Sequence, residues 1–115
     1  MTRKSEERFE VVLSEEVTKE LLSLPLKHRT KILYNIRKSI FLNDAVLFKK
    51  LDELLWEFRT LYGGIHYRLL AVWGKENGNS KVFVLTLFIK KTNKTPLKEL
   101  EKAKAIWLKR LNPKQ

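Results

Sequence analysis

Apolar and polar positions along the chain fall into blocks with two different periods. FEVVL, residues 9–13, is a short β-favouring run and predicts a strand. Ser14 follows, then Glu15 and Glu16, then Val17, Leu21 and Leu24 at helical spacing. A serine cap and acids in the first turn favour a helix start, and Pro25 closes that helix. From Lys27 to about Leu42, Ile32, Leu33, Ile36 and Ile40 share one face, while Lys31, Arg37 and Lys38 lie elsewhere on the wheel. Asn43 and Asp44 end this second helix. The pair is expected to form a helical hairpin over one face of a sheet, with His28 and Arg29 in solvent.

Three strand-like runs come next. Leu54–Leu61 ends at Gly63-Gly64, Ile65–Trp73 ends in a turn over 74–79, and Val82–Ile89 ends at Lys90-Lys91. Asn77-Gly78 between such runs is a strong hairpin cue, so three antiparallel strands are expected. Thr95 as N-cap and Pro96 at the first helical position open a last helix. Its stripe is Leu97, Leu100, Ala103, Trp107 and Leu111, and Asn112-Pro113 ends it. The order is β-α-α-β-β-β-α. The fold class is α+β in one domain over 1–115, with 1–8 and 112–115 expected to be loose.

Composition narrows the partners more than the fold. The chain has 115 residues, no cysteine and a net charge of +11. From Lys75 onward, eleven Lys and Arg face three Glu. Nucleic acid, an anionic membrane and an acidic protein are the classes that such charge attracts. The basic segments lack the apolar face of an interfacial helix, which disfavours lipid. No apolar run approaches the roughly 20 residues of a membrane span, and MTRKSEERFE has no apolar centre of a secretory signal. A cytoplasmic protein without membrane contact is expected.

Strand alternation then sorts the cations. Arg59 shares a face with Glu57 and Leu55, while Trp56 and Phe58 point toward the hairpin. Arg68 goes with His66 and Leu70, leaving Tyr67, Leu69, Ala71 and Trp73 opposite. Thr86, Phe88 and Lys90 lie on one side of the last run; Leu85, Leu87, Ile89 and Lys91 lie on the other. The face away from the hairpin therefore collects Arg59, His66, Arg68, Thr86, Phe88 and Lys90. Lys91 fits only if the strand ends at Ile89. The aromatics Trp56, Phe58, Trp73 and Trp107 are expected in the core.

Such a face suits RNA cleavage without metal or other cofactor. The 2′-OH of RNA is its own nucleophile, and guanidinium forks stabilise charge that builds on phosphate oxygens. Phe88 or Tyr67 can stack a base. The only histidines are His28 and His66, so no paired-histidine site of the pancreatic-ribonuclease kind is expected. Glu57 is the single acid on the face, too few for a magnesium site. Each cation has a second reading: Arg59 and Arg68 as partners of Glu57, Lys90 and Lys91 as a solvated strand end, His66 as a structural histidine.

LWEFR, YRLLAVW and VFVLTLFIKKTNKTPLKELEKAKA resemble the HigB-type, phage-derived branch of the RelE/ParE toxin superfamily, over about Leu51 to Ala105. FIKKTNKTP is the most specific piece. Thr86 stands close to where relatives often carry His-Gly before the phenylalanine, which removes one candidate acid or base. The resemblance implies a RelE-like fold and a type II toxin that cuts mRNA on the ribosome. It also implies a cognate helix-turn-helix antitoxin, through which alone the complex meets operator DNA. Carried onto this chain, Arg59, Arg68, Lys90 and Lys91 match the basic active-site positions, and His66 is the first choice of base. Tyr67, Phe88, Lys94 and Lys98 are expected on RNA. A ParE-like gyrase poison and a non-catalytic basic module binding RNA or an acidic antitoxin remain the alternatives.

Overall fold

The structure, a computed structural model, describes residues 6–113. Among them the elements run β1 (Glu10–Leu13), α1 (Glu15–Ser23), α2 (Leu26–Phe41), β2 (Phe48–Lys50), β3 (Leu55–Tyr62), β4 (Ile65–Glu76), β5 (Asn79–Ile89) and α3 (Leu97–Leu111). The α+β class and the helical hairpin are as expected. Ser14 caps α1, its hydroxyl accepting the Val17 N–H at 3.1 Å, and the break at Leu24-Pro25 separates the two helices.

The sheet is larger and more mixed than the sequence suggests. It has five strands in the order β1-β5-β4-β3-β2. β1 pairs with β5 in parallel, from Glu10↔Lys81 to Leu13↔Val84. The hairpin therefore carries the chain across one face, from the β5 edge to the β3 edge. β2 escaped the sequence reading because it is three residues with one apolar side chain. That side chain explains the strand. Phe48 is buried and stacks on Phe58 with ring centroids 4.1 Å apart and on Trp56 at 5.0 Å.

Both faces carry a core. On the hairpin side, Phe58, Tyr67, Leu69, Ala71, Val82 and Val84 meet Val17, Leu21, Ile32 and Ile36. On the other side, Leu55, Leu70, Val72, Phe83 and Leu85 meet Ala103, with Leu100, Ile106 and Trp107 packed against them. The second face is thus covered at one end by α3 and not bare along its length. A bulge between Leu70 and Ala71 sets Leu70↔Thr86 beside Ala71↔Val84. Leu85 is the extra residue and joins the α3 side, which corrects its expected place opposite Thr86.

The turns are tighter than expected. Gly63 and Gly64 have φ of 59° and 76°, and Asn77 and Gly78 have 54° and 81°. Two residues with positive φ make the hairpin turns whose twist matches the strands. The expected turn over 74–79 shrinks to Asn77-Gly78, because Gly74 and Lys75 stay in the ladder opposite Lys81 and Ser80.

α3 differs from its predicted stripe. Leu97 and Leu111 are 68% and 56% exposed. Thr95 does not cap it either: the N-cap is Pro96, without a side-chain bond. Residues 1–5 and 114–115 of the expected loose ends lie outside the described residues. Within that N-terminal stretch Arg8 donates from Nη2 to the Ser39 carbonyl at 2.7 Å and the Leu42 carbonyl at 3.0 Å. Among the described residues no helix is long and apolar enough to cross a membrane.

Candidate functional site

The end of the sheet that α3 leaves uncovered is where the cations gather. Arg59 and Arg68 are directly opposite each other in the β3–β4 ladder. Like charges so placed repel, and a buried anion offsets them. Glu57, 1% exposed, sits two residues before Arg59 on the same strand face. Its Oε1 lies 3.5 Å from Arg59 Nε and 3.6 Å from Arg68 Nε. Its Oε2 accepts the Thr95 hydroxyl at 2.7 Å. One carboxylate therefore holds two strands and the segment leading into α3.

The arginines differ in exposure. The Arg59 side chain is 30% exposed and that of Arg68 only 8%. Arg68 Nη1 donates to its neighbour's carbonyl, Tyr67 O, at 3.0 Å. Burial pulls the Arg68 guanidinium below its ordinary value, Glu57 works against that, and Arg59 adds to it. Lys90 is lowered too, by burial first and by Arg68, Arg59 and Lys49, with Glu57 opposing. Its backbone N–H donates to the His66 carbonyl at 2.8 Å, which seats it beside that residue.

These groups line an open cleft of about 640 Å³, bounded by Arg59, His66, Arg68, Lys90, Lys91 and Asn93 among others. Because β5 ends at Ile89, the chain turns and Lys91 reaches the cleft despite its place in the alternation. His66 is exposed at the rim. No group of three His, Cys, Asp or Glu among the described residues is placed to hold a metal ion.

The sequence model for the phage-derived Gp49-like proteins matches residues 19–107, a span that holds the cleft, the carboxylate and α3 as far as Trp107. The chain belongs to the Gp49-like family. That family is RelE/HigB-like and toxin-like. No curated protein matches the chain.

In this Gp49-like chain five expected residues, Arg59, His66, Arg68, Lys90 and Lys91, come together. Four expected RNA contacts do not join them as foreseen. Tyr67 is 2% exposed and faces the hairpin, its hydroxyl 2.8 Å from His28 Nδ1, so it cannot stack a base. His28 is correspondingly drawn out of solvent, its ring edge-on to Tyr62. Phe88 is half-buried against the α3 core and stands opposite Arg68 in the ladder. Lys94 and Lys98 are exposed and outside the residues that line the cleft.

Two contributors, Thr95 and Lys49, are not foreseen from the sequence. Thr95 was assigned to capping and instead bonds Glu57. The expected pairing of Glu57 with both Arg59 and Arg68 is present, and the ladder register that sets the two arginines opposite each other allows it. Lys49 stands opposite Glu57 on β2, a strand that local pattern does not announce.

Proposed function

We propose that this Gp49-like protein is the toxin of a type II toxin–antitoxin pair, a ribosome-dependent endoribonuclease that cuts mRNA and is neutralised by a cognate helix-turn-helix antitoxin. The observation that carries this reading is the Glu57-held pair of arginines at a cleft shared with Lys90 and His66. Arg59, Arg68, Lys90 and Lys91 against the one carboxylate of Glu57 leave a formal net charge of +3 at the cleft. A phosphodiester carries a single negative charge. The five-coordinate phosphorane formed by 2′-OH attack carries up to two. Such a site stabilises the transition state more than the ground state.

In this reaction the 2′-oxygen bonds to phosphorus while the bond to the departing 5′-oxygen breaks. The products are a 2′,3′-cyclic phosphate and a 5′-OH. Glu57 pairs with the Nε edges, which leaves the terminal N–H groups of Arg59, and those of Arg68 not held by the Tyr67 carbonyl, for the phosphate oxygens. Lys90 neutralises the developing charge and Lys91 positions the backbone. His66 takes the 2′-OH proton, and water delivers a proton to the departing 5′-oxygen as its bond to phosphorus breaks. Little cutting of free RNA is expected, because the ribosome supplies the in-line alignment of the nucleotide.

The test is induced expression of the chain and of Arg68→Ala in cells without antitoxin, with message integrity read by primer extension. Wild type should stop translation and leave cleaved messages, and Arg68→Ala should do neither while still folding. Full toxicity of Arg68→Ala would overturn the site. Intact messages with DNA-damage signalling would instead point to gyrase as the target, and growth without toxicity to a binding module.

A further inference from the structure

Arg59, His66 and Arg68 form a ridge with a depression on each side. The second depression, about 470 Å³, lies toward α2 and is lined by no carboxylate. Lys31, Asn35 and Lys38 face it from α2 at spacings of four and three, which place them on one stripe of a helix. Asn35 is buried and pinned, its Nδ2 donating to the Thr60 hydroxyl at 2.9 Å. Thr60 stands between Arg59 and Leu61 on β3. The pin therefore fixes Lys31 and Lys38 on either side of that strand end, about 10 Å apart along the helix axis at 1.5 Å per residue.

The sheet edge is open at the same place. β2 pairs with β3 only at Trp56–Phe58, and the Leu47 carbonyl takes the Arg59 N–H at 2.8 Å. Backbone groups on one edge of a strand recur every second residue, so the next N–H outward is that of Leu61. Leu61 is 58% exposed, and no strand follows beside it among the described residues. An outward N–H donor in a depression lined by two lysines and continuous with the arginine ridge has the composition of a phosphate site.

We propose that this α2-side depression binds the phosphodiester backbone of single-stranded RNA next to the scissile phosphate, with Lys31 and Lys38 on phosphates and the Leu61 N–H as a backbone donor. A single strand fits because it has to bend across the ridge. In-line attack also needs an unstacked nucleotide there. The inference rests on the RNA-cleaving reading and adds a track to it. Cation geometry, not base recognition, defines the track, so it carries no sequence preference of its own.

The test measures binding and not cleavage. A fluorescein-labelled single-stranded RNA 12-mer is titrated with the full chain by polarisation between 50 and 200 mM salt. Four proteins are compared: wild type, Lys31→Ala/Lys38→Ala, Arg59→Ala/Arg68→Ala, and Lys102→Ala/Lys109→Ala, the last removing the same charge from α3. The Lys31/Lys38 variant should bind on the order of 10-fold more weakly and lose about 1.4 from the salt slope, at roughly 0.7 per phosphate for single strands. The α3 control should change neither by a comparable amount. Binding by the Lys31/Lys38 variant equal to wild type, or equal loss in the α3 control, overturns the subsite. If the arginine pair alone weakens binding, the subsite fails and the proposed function stands. If no variant weakens it, the RNA reading fails with it. Thermal melts of each variant exclude unfolding, and should Lys31/Lys38 melt early, Lys31→Gln/Lys38→Gln replaces it.

Discussion

Glu57 is the residue on which the cleft's electrostatics turn. Buried with two guanidinium edges on Oε1 and a hydroxyl on Oε2, it offsets the repulsion of a cross-strand arginine pair. Glu57→Gln keeps the shape and removes the charge. Turnover on ribosome-bound message should fall on the order of 100-fold from misplaced guanidinium groups, while RNA affinity holds or rises because the cleft gains positive charge. Equal losses in kcat and affinity would mean a merely structural role. A pH profile adds a second readout. Lys90 must be protonated to neutralise phosphate, and its pKa is already lowered by burial and by Arg68, Arg59 and Lys49. Activity should therefore decline with rising pH below the ordinary lysine range. Glu57 opposes that lowering, so Glu57→Gln should move the decline to lower pH. The stability sign is the reverse of a stabilising ion pair. The unfolded chain holds the Lys90 proton more tightly, so stability should rise with pH between the folded and the ordinary value. At this scale the arginines were legible, because period-two alternation places them on one face. Tyr67 was misassigned because its partner, His28, lies 39 residues away on a helix whose docking the local pattern does not fix.

Among the elements, the β3–β4 turn ties the cleft to the hairpin. Gly64 lines the cleft. Gly63 has φ of +59°, and a Cβ there would come within 3.2 Å of His28 Cε1. Gly63→Ala should destabilise the fold by about 1–2 kcal/mol from the left-handed backbone alone, with an added cost from displacing His28. Gly64→Ala meets open space and should show the backbone cost only. Chemical denaturation of the two variants measures the difference, and equal losses would leave His28 without a packing role. Helices α1 and α2 and strands β3 to β5 follow from hydrophobic period, cap and turn residues. The rest was hidden for definite reasons. β2 is too short to show alternation. β1 finds its partner by register with a distant strand. The bulge at Leu85 is invisible in VFVLTLF, where either face is apolar.

The whole molecule carries +11 on 115 residues, with eleven Lys and Arg against three Glu from Lys75 onward. A polyanion that binds only the folded chain should stabilise it by linkage, about 2.7 kcal/mol at a hundred times its Kd. Heparin or a short RNA should therefore raise the melting temperature at low salt, and the rise should shrink toward 200 mM salt as counterion release weakens. An unchanged melting temperature at saturating RNA would contradict a folded-state polyanion surface.

The parallel pairing of β1 with β5 also orders events in time. Val11 and Val12 find Val82 and Phe83 only after about seventy intervening residues exist. Contacts so distant in sequence slow folding, and a chain made from its N-terminus holds β1 without a partner until β5 is complete. Lys90 and Thr95 come later still. The cleft is thus among the last things a growing chain can assemble, so the proposed cutting of messages would begin only once the chain is nearly complete.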